Sequence, residues 1–396
     1  MLELKPIDGD INNGYEYDYK LINKEFRKLH IPKYVYNPLK DPIEDVSYIF
    51  NLSERKTGKT TNWLLYGMVM HELYGVQIQY LRDNEANIQP KAIRDLFNVI
   101  LAHDYISKVT HGRWKGCTYY AAKWYYCNYD DAGKICEQDP ESFCNCLALS
   151  KWADYKSIYN APRGDLIIFD EFIGKYYPRD EFLSLMDVHS TIVRSRQSAK
   201  VIMLANAIDR NSPYFEEFNI RKDIQKLQPD QYKYIVTDLG TPIFIRFISG
   251  LKTKQTDAHN KRYYGFNNPK LQAITGGGWA FKQYPHLKRE EEKGIEVIMN
   301  NIYIKHNNEL LRCSLAYSDN LGYFVKVMRG KNPQDDAIIY TSDIPLSASE
   351  KYGLGWTDGD KKFWTLYNRR RWYFATNEVG DIVESFVMTI HKDFRL

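Results

Sequence analysis

The chain has 396 residues, 44% of them hydrophobic and 26% charged, which is enough for two or three domains with sizeable cores. No apolar run reaches membrane-spanning length, and Met1-Leu2-Glu3-Leu4-Lys5 lacks the layout of a secretory leader, so neither a span nor a signal peptide is expected. Net charge is +4, from 54 basic and 50 acidic residues. That is too little for a whole-chain field to attract nucleic acid, so any such site must come from local clustering.

Residues 1–45 read as an irregular lead-in. Near its end lies Val35-Tyr36-Asn37-Pro38, where Tyr36 and Asn37 would stack on and hydrogen-bond an adenine base, or form an ordinary turn. The run Val46–Leu52 has the apolar character of a strand, and Thr61–Met70 that of a helix. Between them stands Ser53-Glu54-Arg55-Lys56-Thr57-Gly58-Lys59-Thr60. Strand, Gly-Lys-Thr loop and helix are the context of a phosphate-binding P-loop, whose backbone N–H groups and helix dipole favour anionic oxygens. Lys59 would reach the β- and γ-phosphates of a nucleotide, and the Thr60 hydroxyl would hold Mg²⁺. Ser53, Arg55, Thr57, Gly58 and Thr61 complete the expected nucleotide contacts. Ser53 stands where the motif has its first Gly, so the tightest turn is expected on a residue with a Cβ.

A second strand, Val76–Arg82, and a helix over Ala92–Leu101 continue the alternation of a doubly wound α/β domain. Five of six cysteines (Cys117, Cys127, Cys136, Cys144, Cys146, with Cys313 apart) fall in a stretch that reads as an inserted hairpin turning at Asp130–Gly133. No C-x₂-C pair occurs there, which argues against zinc. In a cytoplasmic ATP-binding protein these thiols stay reduced.

Gly164-Asp165-Leu166-Ile167-Ile168-Phe169-Asp170-Glu171 reads as a buried parallel strand with two carboxylates at its carboxyl end, the edge at which open α/β sheets bind ligands. Asp170 would hold Mg²⁺ directly or through water, and Glu171 would polarise an attacking water. A third buried strand, Lys200–Ala205, ends at Asn206, placed to orient that water or sense the γ-phosphate. Between these strands, Arg194 and Arg196 are both candidates for an arginine that stabilises transition-state charge; spacing does not choose between them. No Asn-Lys-x-Asp occurs, so the guanine-reading motif is absent and ATP is favoured.

Tyr232–Val236 and Pro242–Ile248 read as strands closing this sheet. Residues 251–288, with Lys252, Lys254, Lys261, Arg262 and Gly276-Gly277-Gly278, read as a linker. Beyond 289 the pattern turns mainly to strands, including Lys362–Leu366. Asp335, Asp336, Asp343, Asp358 and Asp360 read as solvated turns, although converging carboxylates would be needed for a two-metal nuclease. Asn368-Arg369-Arg370-Arg371-Trp372-Tyr373 suits phosphate contact with RNA or DNA, or a solvated strand edge.

Taken together, Tyr36-Asn37-Pro38, Arg55, Tyr80-Leu81-Arg82, Leu166–Ile173, Leu185-Met186-Asp187, Arg194-Ser195-Arg196, Leu204–Ala207 and Asn211–Phe215 resemble the DNA-packaging ATPases of φ29-like bacteriophages, over roughly residues 35–220. The resemblance implies an ASCE-type P-loop ATPase domain with a mainly parallel sheet over 1–250 and a small linker domain over 251–288. It implies a C-terminal α+β domain over 289–396 like a degenerate RNase H-type nuclease. It further implies ATP and Mg²⁺ as cofactors and a homopentameric ring, in the host cytoplasm at the portal vertex of a procapsid. Double-stranded DNA and the portal would be its partners, with a structural packaging RNA as a further one. By the same resemblance Glu171 takes the catalytic role, Arg194 reaches a neighbour's ATP, and Asn206 falls in the coupling motif. Two other readings compete: a large terminase with an active nuclease, and a nucleotide-binding assembly protein that does not hydrolyse.

Overall fold

The computed structural model describes residues 2–53, 57–155, 159, 161–173, 181–206, 212–249, 262, 284–292, 294–307, 309–355 and 357–390. They fall into two compact units. The first is Met1–Gly174, Asp180–Ala207 and Asp223–Trp279; the second is Lys175–Arg179, Ile208–Lys222 and Ala280–Leu396. The expected linker, with Arg55 of the P-loop, lies almost wholly outside the described residues.

Besides a two-residue pair, Lys5–Pro6 with Tyr15–Glu16, the strands of the first unit are β1 (Tyr48–Ser53), β2 (Ile78–Arg82), β3 (Gly116–Tyr120), β4 (Lys123–Tyr129), β5 (Ile135–Ala148), β6 (Leu166–Asp170), β7 (Lys200–Asn206), β8 (Tyr232–Val236) and β9 (Pro242–Ile248). Among the described residues they form one sheet in the order β8-β9-β1-β7-β6-β2-β5-β4-β3. From β9 to β5 every pairing is parallel. Strands buried on both faces need not alternate, and β1 and β6 are buried at every position. The order inserts β7 between the P-loop strand and the Asp170 strand. The register sets Ser53 opposite Asn206 and Asp170 opposite Leu204, so three functional strand ends meet at one edge.

Helix α2 (Lys59–Tyr74) follows the P-loop and is buried on almost all sides, Trp63, Leu64, Leu65 and Met68 completely. Each large apolar side chain so buried stabilises the fold by about 2 kcal/mol. The helix lies so close to the sheet that a Cβ on Gly67 would fall 2.5 Å from Ile78 and 2.9 Å from Leu166. Its other face packs on α1 (Tyr19–Arg27), where the Tyr66 hydroxyl donates to Asn23 Oδ1 at 2.9 Å. Helix α3 (Glu181–Val193) joins β6 to β7.

Two expectations are corrected here, and a third is met. The lead-in is not irregular: Asp18 caps α1 through the Leu21 N–H at 2.9 Å, and Tyr19, Ile22 and Phe26 bury one helical face. The helix over 92–101 is broken into Pro90–Ile93 and Asn98–Ala102. Asp95 and Asn98 bond to each other at 2.8 Å in the break, where short polar side chains favour turns over helix. The hairpin expected in the cysteine-rich stretch is present: β4 and β5 pair antiparallel around a turn at Asp130–Lys134. Together with β3 these strands extend the main sheet, and all six cysteines are unpaired.

The second unit is a sheet of β10 (Glu296–His306), β11 (Glu309–Ser318), β12 (Gly322–Arg329), β13 (Ile338–Thr341), β14 (Glu350–Tyr352) and β15 (Trp372–Phe374), with helices α4 (Asp358–Asn368) and α5 (Asn377–Ile390). Among the described residues the order is β14-β13-β10-β11-β12-β15. It is an antiparallel meander, β10 to β12, flanked by strands added parallel. Residues 362–366, expected as a strand, lie in α4. A reciprocal cap starts that helix: the Thr357 N–H donates to Asp360 Oδ2 at 2.9 Å, and the Asp360 N–H to Thr357 Oγ1 at 3.2 Å.

Asp360 is thus no solvated turn residue; it is buried, whereas Asp335, Asp336, Asp343 and Asp358 are exposed. Among the described residues no three His, Cys, Asp or Glu side chains converge as a metal centre. Arg369, Arg370 and Arg371 are exposed after α4. Trp372 is not available to stack on a base, because it is buried against Trp364 at 5.0 Å between rings.

Candidate nucleotide site

Gly58 opens α2 with φ +80°, a left-handed conformation that favours glycine, and a Cβ there would press on Val35 at 3.2 Å. Ser53 needs no such conformation. It stays in the β1 ladder, outside the left-handed region, and its hydroxyl pairs with that of Thr57 at 3.0 Å. The strain expected of a Cβ at the first motif position is therefore not found at Ser53.

Lys59 is buried, and its ammonium donates to Asn206 Oδ1 at 2.6 Å. Burial draws its pKa down to about 8, against the opposing pull of Asp170 and Glu171. The Thr60 hydroxyl donates to Asp170 Oδ1 at 3.0 Å, and the Tyr80 hydroxyl to Asp170 Oδ2 at 2.9 Å. Burial pushes the Asp170 carboxyl upward, with Arg82, Tyr80 and Lys59 opposing. A hydroxyl and a carboxylate oxygen converging at this distance are hard oxygen donors of the kind Mg²⁺ takes. Thr60 and Asp170 therefore fit that ion.

Glu171, one residue beyond the strand, has φ +55° and a half-exposed side chain. Arg82 Nη2 donates to its Oε2 at 2.6 Å, and Asn206 Nδ2 lies 3.5 Å from its Oε1. Arg82 also reaches the Tyr80 hydroxyl at 3.4 Å. Thus Lys59, Thr60, Asp170, Glu171 and Asn206 come together as the sequence suggested. The tie from Arg82 to Glu171 is the contact sequence reasoning missed. Its signal was available, since Arg82 ends a buried parallel strand just as Asp170 does.

A cavity of about 520 Å³ opens over these groups, lined on its far side by Tyr34, Val35, Val99, His103 and Tyr105. Thr61 lines it as well. Tyr36 does not, and its expected stacking on adenine is corrected: its ring is buried beside Trp63 and its hydroxyl donates to Asp41 at 2.5 Å. Tyr36 instead holds the loop through its backbone, donating to the Thr57 carbonyl at 2.9 Å and accepting from the Asn62 side chain. Asn37 is spent as a cap, accepting from the Leu39 N–H at 3.0 Å. Tyr34, which is exposed, lines the cavity and Tyr36 does not.

The two arginines part company. Arg196 Nε is paired with buried Asp165 at 2.5 Å, and its Nη2 donates to the carbonyls of Ile192 and Ala161. Arg194, just past α3, is exposed with φ +54°. It lies six residues before Lys200, where β7 begins, and six strand steps separate that end from Asn206, ~20 Å at about 3.3 Å per residue. Arg194 is therefore remote from its own cavity.

The strand order and this constellation define a P-loop nucleotide-binding fold of the ASCE type, with an extra strand between the P-loop strand and the acidic strand. Residues 33–243, more than half of the chain, match the family of the podovirus DNA encapsidation protein (Gp16), and the chain belongs to that family. The DNA packaging protein of Bacillus phage B103 is 39% identical over 101 residues, covering 24% of this chain and 30% of that protein. That of Bacillus phage phi29 is 37% identical over 86 residues, covering 20% and 25%. These matches span less than a third of either relative. The bacteriophage Phi-29 viral genome packaging motor assembly is similar in structure, with a TM-score of 0.57 at 19% identity over 90% of this chain and 100% of that one. The Phi-28 gp11 DNA packaging motor gives 0.51 at 17%, over 91% and 98%. At such identities the likeness speaks for the fold.

Proposed function

We infer that this chain is an ATP-hydrolysing motor that drives double-stranded viral DNA into a procapsid, acting as a ring whose ATP sites lie between subunits. The observation that carries the reading is the edge where Lys59, Thr60, Asp170 and Glu171 meet under one cavity, in a chain of the DNA encapsidation family. Lys59 exchanges Asn206 for the β- and γ-phosphates of ATP. Thr60 and Asp170 hold Mg²⁺, which neutralises phosphate charge when bound. Tyr34 and Val99 offer the exposed apolar wall against which a base packs.

Glu171 is the general base in this reading, and it is bonded to Arg82. It must leave Arg82 before it can orient water, so Arg82 restrains hydrolysis until the site is assembled. Asn206 bridges Lys59 and Glu171 and couples occupancy of the phosphate site to the base. Arg194, too distant to act on its own site, serves the neighbouring subunit. Pentameric assembly, an RNA between ring and portal, and action at the portal vertex in the host cytoplasm belong to the same reading. So do the linker over 251–288 and the separate domain over 289–396, which resembles an RNase H-type nuclease. Ion pairing with DNA phosphates makes the grip salt-dependent and largely blind to sequence.

The test is the ATPase rate against protein concentration, with and without double-stranded DNA. A rate that rises faster than linearly, is stimulated by DNA, and falls about 10²–10⁴-fold in Glu171→Gln and about 10³-fold in Arg194→Ala supports the reading. No hydrolysis under any condition turns it toward a nucleotide-binding assembly protein.

A further inference from the structure

The hairpin at the start of the chain touches the turn that carries Arg194. Lys5–Pro6 pairs with Tyr15–Glu16, and the tip between them lies against residues 195–198. The Ser195 hydroxyl donates to the Asn12 carbonyl at 2.6 Å, and the Gln197 N–H to the Asn13 carbonyl at 2.8 Å. The Tyr15 N–H donates to Ser198 Oγ at 3.2 Å. Below the tip, Tyr17, Ser198 and Arg196 all bond to Asp165, whose side chain is fully buried. Gly14 is required at the contact: its φ is +97°, and a Cβ on it would lie 2.2 Å from Ser198 Oγ.

These bonds hold residues 195–198 on both sides, from the hairpin and from Asp165 just before β6, and leave Arg194 exposed, its guanidinium without a hydrogen-bond partner among the described residues. An arginine that must meet a phosphate on another subunit loses side-chain and backbone entropy on doing so, and a fixed backbone reduces that loss. The hairpin precedes the stretch matched by the family, 33–243.

We propose that the hairpin Lys5–Tyr17, latched through Ser198 to Asp165, is a brace that positions Arg194 for the active site of the neighbouring subunit. Its residues are positioning residues and touch no nucleotide. The proposal rests on the trans-acting reading of Arg194.

Complementation between two full-length variants tests it, in the presence of double-stranded DNA. Gly14→Ala keeps its phosphate site but presents Arg194 poorly; Lys59→Ala lacks a working site but presents Arg194 natively. Alone, Gly14→Ala is expected to hydrolyse ATP about 10- to 100-fold more slowly, the effect of misplacing a reacting group by about 1 Å. Its affinity for a non-hydrolysable ATP analogue should not change. Mixed with Lys59→Ala it should gain severalfold over the sum of the two alone, because its intact sites then receive a braced Arg194.

A wild-type rate for Gly14→Ala overturns the brace. So does a failure to gain on mixing when Arg194→Ala mixed with Lys59→Ala does gain, and the trans reading then survives. If that control pair also fails to gain, the trans reading falls and the brace with it. Should Gly14→Ala lose analogue binding, Ser195→Ala replaces it. That change removes only the bond to Asn12, with a severalfold fall expected and the same mixing criterion.

Discussion

Two buried carboxylates, one in each unit, are built alike and behave in opposite ways. Asp170 ends β6, accepts from the Tyr80 hydroxyl at 2.9 Å and has Arg82 at 3.8 Å. Asp360 lies in α4, accepts from the Tyr340 hydroxyl at 2.7 Å and has Lys351 at 2.8 Å. Burial raises the pKa of both. At Asp360 the hydrogen bonds from Lys351, Tyr340 and Thr357 outweigh it and hold the carboxyl well below the usual range. At Asp170 burial prevails and the pKa rises. A carboxylate whose lone pairs are all taken is a cap, whereas one left under-satisfied beside a cavity can take a cation. A tyrosine–carboxylate–cation trio is therefore no sign of chemistry by itself; the free coordination is.

The sharpest break of this comparison is the pair of amide substitutions. Asp170→Asn should reduce ATP turnover about 10²–10³-fold, measured by phosphate release. It should leave the nucleotide-free protein as stable or more so in thermal melts, since a buried, poorly compensated charge is removed. Asp360→Ala should do the reverse. It should cost about 3 kcal/mol of stability by chemical denaturation, leaving Lys351 and Tyr340 without their partner, while the folded protein binds ATP as before. If Asp360→Ala spares stability, the cap reading of that residue is wrong.

The two tyrosines sharpen the contrast at smaller amplitude. Tyr340→Phe should lower stability by about 1 kcal/mol with turnover intact. Tyr80→Phe should change stability by a similar amount but also shift the Mg²⁺ concentration needed for half-maximal rate, because Asp170 then loses one of its two hydroxyl donors.

The smallest expected effect is in pH. Burial lowers the Lys59 pKa to about 8. Bound phosphate raises that pKa, so ATP affinity should weaken as pH rises past 8, and binding at pH 9 should take up close to one proton. Calorimetry in buffers of different ionisation enthalpy measures that uptake. Because the folded pKa lies below the ordinary lysine value of about 10.4, the unfolded chain binds more protons between about pH 8 and 10. Stability of the empty protein should rise across that window. Proton uptake at pH 9 equal to that at pH 7 would remove Lys59 from the phosphate site.

Much of the site was legible because its signals are local. A mostly apolar strand, a Gly-Lys-Thr turn and a helix are read within the 25 residues Val46–Met70, and the Asp170-Glu171 strand end within the eight of Gly164–Glu171. The errors lay where local signals compete. Lys362–Leu366 holds the aromatic and β-branched residues that strands favour, yet Thr357 and Asp360 nucleate a helix through it, and that capping pattern was present to be read. Tyr36 was placed by proximity to the P-loop. Its ring turned inward because Asp41 and Trp63 offered a buried partner and an aromatic neighbour.

The sequence by itself determined the elements and their order along the chain, because strand and helix periodicities and the glycine at position 58 act over a few residues. Tertiary structure decided which strand ends became neighbours. Placing β7 between β1 and β6, with β2 on the other side, brings Asn206 to Lys59 and Arg82 to Glu171. It also decided that Arg196 is anchored to Asp165 while Arg194 is left exposed at the opposite edge. Strand order follows from how the whole set of apolar faces is buried at once, and no local stretch of sequence carries that balance.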